Sequence, residues 1–207
     1  MKTKLSLLAA AAIATFALAA PAQAADKAEL LHDANVTVNH LKSDPAFATA
    51  ADMLHGARAI FIVPKLIKGG FVFGAEGGSG VLVERAGKGW SAPKFYDMGS
   101  ASFGFQAGLE KAELVFIINS TRALNGIKHG NFKLGGQAGI TVATLSSGAE
   151  GATTAHGGDI VVWSSGTGLF GGVAFNGSVI TPDKDLNSTP TMGPEAMALK
   201  ANLATVR

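Results

Sequence analysis

The chain has 207 residues, 17 basic and 15 acidic side chains, and no cysteine. That composition excludes a disulfide framework, a thiolate nucleophile and a cysteine-ligated metal. The near-neutral charge balance leaves no basic footprint for nucleic acid. Glycine is the unusual component: 27 residues, all between Gly56 and Gly193.

Lys2 and Lys4 precede an apolar run, Leu5 to Ala19, and Ala22-Gln23-Ala24 has the small-x-small form of a peptidase site. Residues 1–24 therefore read as a signal peptide, with the mature chain beginning at Ala25. Removing them leaves 183 residues carrying 15 basic and 15 acidic side chains, enough for one domain with a core, residues 25–207. The alanine-rich leader suits a bacterial exporter, so the expected address is periplasmic or secreted.

Residues 25–55 contain no glycine and place Leu30, Leu31, Ala34, Val38 and Leu41 on one helical face. Ser43-Asp44-Pro45 stops this helix and opens a second, over Ala46 to Leu54, which Gly56 closes. The two are expected to pack as a small hairpin on the β region. From Arg58 the period changes to two. Ala59 to Val63 reads as a buried strand ended by Pro64, with Lys65 to Lys68 as a short connector. Further strands are expected at Gly70–Ala75, Gly80–Arg85, Lys94–Met98, Ala101–Leu109 and Glu113–Asn119. Gly74 to Gly80 reads as a loop between two of them.

Ser120-Thr121-Arg122 caps a short helix that runs to Lys128 and closes at His129-Gly130. Strands come next at Lys133–Leu145, Asp159–Ser164 and Leu169–Ile180, with a polar loop over Ser146–Gly158. After a turn at Thr181-Pro182-Asp183, Pro194 opens a final helix to about Thr205. Glycine inside strands costs stability, and it is kept where a sheet curves sharply or a ligand or backbone comes close. The expected fold is α+β: an N-terminal helical hairpin on a mostly antiparallel, strongly curved sheet or barrel, with a short C-terminal helix.

The chemical motifs are sparse. Gly166-Thr167-Gly168-Leu169-Phe170-Gly171 matches G-x-G-x-x-G, but strand-like alternation and an Asn176-Gly177 turn succeed it instead of a helix. It reads as a hairpin, not a nucleotide site. The segment Gly74 to Gly80 lacks a Gly-Lys-Ser/Thr. The histidines His32, His40, His55, His129 and His156 form no metal-ligand spacing. Gly77-Gly78-Ser79-Gly80-Val81 departs from the nucleophile elbow at its last position. No catalytic residue, metal site or cofactor is assigned, and the chain reads as a non-enzyme.

One charged segment stands out. Arg58, Lys65 and Lys68 interleave with Ile62, Leu66, Ile67, Phe71 and Phe73, and no acid interrupts them. A cationic lip beside an apolar wedge suits an anionic membrane surface. From composition alone the favoured reading is that the apolar residues are core and the lysines merely solvated.

The run from Gly56 to Pro64, through GGFVFGAEGGSGVLVER and Trp90-Ser91-Ala92-Pro93, resembles the start of the SYLF lipid-binding domain. Gly104 to Gly108, Leu114 to Asn119, Phe132 to Gly136, Ile160 to Ser164 and Gly168 to Gly172 continue the pattern in order. The resemblance covers about residues 50–187. It implies a non-enzymatic domain, since eukaryotic members bind phosphoinositides and membranes and some bind and bundle actin. For an exported bacterial chain, actin is an unsuited partner and lipid binding is the transferable property. The expected lipid contacts are Arg58, Lys65 and Lys68, with Phe71, Phe73 or Phe170 as apolar anchors. The expected partner is an anionic phospholipid surface, the alternative being an envelope protein. Two departures stand: the first helix is not basic, and Thr191-Met192-Gly193 replaces the family's aromatic-aromatic-glycine after Asn187.

Overall fold

The computed structural model describes residues 27–45, 47–70, 73–103, 108–130, 132–136, 139–146, 158–165 and 177–205. The leader, Phe71, Phe170, most of the Ser146–Gly158 loop and the G-x-G-x-x-G segment lie outside these residues. Helix α1 spans Lys27–Ser43 and α2 Phe47–Gly56. The strands are β1 (Ala59–Gly70), β2 (Phe73–Ala86), β3 (Gly89–Trp90), β4 (Lys94–Phe103) and β5 (Gly108–Ile118). Helix α3 (Thr121–Lys128) is followed by β6 (Phe132–Lys133), β7 (Val142–Ser146), β8 (Ile160–Ser164), β9 (Val179–Pro182) and α4 (Pro194–Ala204).

The strands form one curled sheet in the order β6-β9-β4-β2-β1-β5-β8-β7, with β3 hairpinned onto β2. All described pairs are antiparallel except β7 with β8. Among the described residues the two end strands do not pair, and the sheet has the form of a curled half-barrel.

Alternation sends the two sets of side chains into two cores. Ile60, Ile62, Val81, Val83, Val115, Ile117, Val161 and Trp163 face Leu30, Leu31, Ala34, Val38 and Leu41 of α1 and Ala196, Leu199 and Leu203 of α4. The concave face gathers Phe61, Val63, Leu66, Leu82, Tyr96, Leu114, Phe116 and Val162, closed by Ala123, Leu124 and Ile127 of α3. Central strands buried on both faces explain why Ile60 to Val63 and Leu114 to Ile118 are unbroken apolar runs. Helix α1 also carries a polar clasp. The buried Thr37 hydroxyl donates to Glu113 Oε1 at 2.8 Å, and His40 Nδ1 lies 2.9 Å from Glu113 Oε2.

Four expectations about the strands are corrected. Pro64 does not end β1, and Lys65 to Lys68 are not a connector, because the strand continues to Gly70 between β2 and β5. A proline inside a central strand removes a ladder donor and needs a bulge. The register with β2 slips between Ile62 and Ile67, and that with β5 between Val63 and Leu66. The extra residue puts both Val63 and Leu66 in the concave core and turns Lys65 toward α1. Gly74 to Gly80 is likewise strand, not loop, and its glycines accommodate the bulge. A Cβ on Gly78 would lie 2.5 Å from the Lys65 carbonyl oxygen, and one on Gly80 would lie 2.6 Å from that of Ile62. Finally, the stretch Lys133–Leu145 is interrupted by a turn at Leu134–Gly136, and Lys94–Phe103 is a single strand.

The helix boundaries obey their local signals. Ser120 Oγ accepts from Ala123 N at 3.2 Å, and Gly130, at φ 79°, ends α3. Asn187 clasps the Phe95 backbone from both sides: Phe95 N donates to Oδ1 at 2.9 Å, and Nδ2 donates to Phe95 O at 2.6 Å. That double bond ties the segment before α4 to β4.

Candidate functional site: a cationic cleft at the α2–β1 junction

The chain leaves α2 at Gly56, passes Ala57 and enters β1, and this junction is fixed by backbone bonds. Arg58 N donates to Ile118 O at 2.8 Å, and Arg85 N donates to Arg58 O at 2.7 Å. A cleft of about 520 Å3 opens beside it, lined by His55, Arg58, Glu84, Arg85, Thr121 and Leu124 among others. A second of about 360 Å3 shares Gly56 and is lined by Met53, Asn119, Ser120 and Asp159.

The charges in this region are mostly committed to structure. Arg85 Nη2 donates to Leu54 O at 2.6 Å and Nε to Ala57 O at 3.3 Å, satisfying carbonyls at the end of α2. Its guanidinium lies 3.8 Å from the Trp90 ring centroid, a cation–π stack. Burial pulls its pKa below the usual arginine range. Lys128 Nζ holds Glu84 Oε2 at 2.8 Å. Asp159 accepts from Thr141 N at 2.9 Å and from Thr141 Oγ1 at 3.0 Å. Bonds from Ser120 foremost, and then the Thr141 amide, hold its carboxyl below the usual range. Arg58 differs: it is exposed, and among the described residues no acceptor meets its guanidinium. The His55 ring beside it is exposed in the same way.

Of the contacts expected from sequence, Arg58 and Lys65 are not brought together. Lys65 stands seven positions along β1 from Arg58, roughly 20 Å at strand rise. Its ammonium is 2.6 Å from Asp33 and 3.7 Å from Glu29, both on α1. The hydrogen bond to Asp33 leads the causes that raise its pKa. Lys68 is described by its backbone, paired with Glu76 on β2 and Glu110 on β5. Phe73, also described by its backbone, opens β2 opposite Phe103. Phe71 and Phe170 lie outside the described residues. His55, Arg85 and Thr121 had no signal as companions of Arg58, since they come from three separate elements. Among the described residues no group of His, Asp and Glu has metal-binding geometry. No described helix is long and apolar enough to cross a membrane, which says nothing of β-barrels.

Fold and cleft together define an α+β half-barrel domain that presents an arginine at an open, polar cleft. Residues 99–190 match the family model Ysc84, described as "Las17-binding protein actin regulator". LAS seventeen-binding protein 3 of Saccharomyces cerevisiae is 32% identical over 170 residues, covering 78% of this chain and 37% of that protein. The human SH3 domain-containing YSC84-like protein 1 is 34% identical over 149 residues, covering 70% and 43%. The chain belongs to the Ysc84/SYLF family. It spans less than half the length of these curated relatives. No solved structure gives a significant match.

Proposed function

We propose that the chain is a non-enzymatic lipid-binding protein of the bacterial envelope, exported and cleaved after Ala24, whose cleft at Arg58 takes an anionic headgroup. The observation that carries this reading is the guanidinium of Arg58, free of acceptors among the described residues, beside His55 in a cleft whose lining carboxylate, Glu84, is already held by Lys128. Asp159, on the neighbouring cleft, is engaged by Thr141 and Ser120. An incoming phosphate therefore meets uncompensated positive charge, and an arginine fork matches its oxygens. In this reading Lys65 is a supporting charge that is partly spent on α1. Lys68, Phe71, Phe73 and Phe170 remain proposed lipid contacts.

Near an anionic surface one cation contributes about 1 kcal/mol. Reversing Arg58 to glutamate changes two charges, so it is expected to weaken binding by about 2 kcal/mol, roughly thirtyfold. The test is co-sedimentation of the chain from Ala25 onward with phosphatidylglycerol and with phosphatidylcholine vesicles. The expected result is a preference for the anionic vesicles that Arg58→Glu removes. Equal pelleting with both, or an unaffected Arg58→Glu variant, overturns the headgroup role.

A second reading is favoured by the relatives' names, which record a protein partner: LAS seventeen-binding protein 3 is named for binding a protein. On that reading the half-barrel is an envelope scaffold, and the cleft receives an acidic segment of another envelope protein. Recovery of a stoichiometric partner from periplasmic extract, with no lipid in the purified complex, would establish it. The family description as an actin regulator is not carried over to a chain proposed to be exported.

A further inference from the structure

Glu76 is the unusual carboxylate of this domain. It lies within β2, on the concave side that it shares with Leu82 by alternation, and is only 7% exposed. Its Oε1 is fixed from two directions: Ser178 Oγ donates to it at 2.6 Å and Ser100 Oγ at 2.9 Å. Oε2 makes no hydrogen bond among the described residues. The described side-chain atoms enclosed without a partner are the indole nitrogens of Trp90 and Trp163, so Oε2 still reaches a surface. Burying a carboxylate is costly unless both oxygens are matched. Two neutral hydroxyls on one oxygen match only half of it.

Strand register places the neighbours of that oxygen. Lys68 of β1 stands opposite Glu76 on one side and Glu110 of β5 on the other. This row holds two acids and one base, so whichever acid Lys68 takes, one carboxylate lacks a cation. The adjoining row on the same face is Gly108, Gly70, Gly74 and Ser102, across β5, β1, β2 and β4. Three glycines put no side chain beside Glu76 on that side. In the opposite direction the trough is filled by Leu66, Met98 and Ala112. The concave face therefore carries a small polar bay: an acceptor held in place by two serine hydroxyls, beside a floor of bare backbone.

We infer that this bay binds a primary ammonium group, with Glu76 Oε2 as its acceptor. A single accessible oxygen suits an ammonium, a compact point charge with its own N–H donors. A guanidinium fork uses both oxygens of a carboxylate, and Oε1 is already occupied. A divalent metal needs several oxygen ligands, and no group of His, Asp and Glu among the described residues supplies them. The bay is separate from the Arg58 cleft and does not rest on the lipid-binding reading. Lys68, opposite Glu76, stands ten positions along β1 from Arg58, roughly 30 Å at strand rise.

Ethanolamine and choline carry the same charge and differ in the methyl groups that remove the N–H donors, so together they separate hydrogen bonding from bulk electrostatics. The full chain, isotope-labelled for amide chemical shifts, is titrated with each as its chloride at constant ionic strength. The expected result is saturable shifts at Gly74, Glu76, Ser100 and Ser178 with ethanolamine and none with choline. No response, an equal response to both cations, or shifts confined to other parts of the sheet overturns the inference. Those outcomes are read on the parent chain and need no variant to fold. Glu76→Gln, nearly isosteric, is expected to weaken the ethanolamine response about tenfold or more, and Arg58→Glu to leave it unchanged. A folded Glu76→Gln chain that binds ethanolamine as well as the parent also overturns it. Co-sedimentation with phosphatidylethanolamine and phosphatidylcholine vesicles separates the sources of the ammonium. A preference for the former that Glu76→Gln removes assigns a lipid headgroup, and equal pelleting alongside the ethanolamine shifts assigns a soluble amine.

Discussion

The close approach of β2 to the β1 bulge makes Gly80 a sensitive position. A Cβ there would sit 2.5 Å from Cε2 of Phe61 and 2.6 Å from the carbonyl oxygen of Ile62. Ordinary contacts lie at about 3.5–4.0 Å, so Gly80→Ala overlaps a core ring and a neighbouring backbone by about 1 Å each. Neither can give way easily. Phe61 is fully buried and packs on Phe116 and Tyr96 with ring centroids at 5.5 and 6.1 Å, and Ile62 is paired on both sides. Overpacking of this kind costs about 1–3 kcal/mol, and only part is offset by the roughly 0.5–1 kcal/mol that alanine gains over glycine. A net loss of about 2 kcal/mol corresponds to a fall in Tm of about 4–8 °C for a domain of this size. Gly77→Ala is the internal control. Its Cβ would meet only the Met98 carbonyl oxygen, at 3.7 Å, so the variant is expected to be neutral or up to about 1 kcal/mol more stable. Urea titration followed by the fluorescence of the buried Trp90 and Trp163 measures both. A Gly80→Ala variant as stable as the parent, or a Gly77→Ala variant that falls as far, would refute the bulge-accommodation argument.

Two further outcomes are expected. Asn187→Ala removes both bonds to the Phe95 backbone and is expected to cost about 1–3 kcal/mol in urea titration, because the Phe95 amide is left without its acceptor. Asp159 has a folded-state pKa below its unfolded value near 4, so its contribution is complete above that value and is lost as pH falls through the folded pKa. Asp159→Asn should therefore be less stable than the parent at pH 7, with the two urea midpoints converging below pH 4. A constant gap from pH 7 to pH 3 would show that the carboxylate charge is not what stabilises the loop.

Elements whose signals are local were legible. The 3.6 periodicity of α1, the Ser120 cap of α3, Pro194 at the start of α4 and the apolar run of β8 each depend on neighbours within a turn or a strand. The path around Pro64 was not, for a physical reason. Proline's missing donor ends a strand unless a bulge intervenes, and the bulge is possible only because Gly78 and Gly80 on another strand leave it room. The same limit applied to the charges. Arg58 and Lys65 look alike in a segment without acids, yet Asp33 and Glu29 reach Lys65 across the α1 packing and leave Arg58 open.

The order of residues alone determined the family pattern, the helix caps, the absence of thiol chemistry and the two-sided burial of the central strands, since propensity and periodicity act over a few bonds. Tertiary packing decided which cation is free, that Arg85 belongs to the end of α2, and that Glu76 is buried between two serines with one oxygen open. Those properties depend on distances between residues far apart in the chain, which exist only once the sheet has curled and the helices have docked.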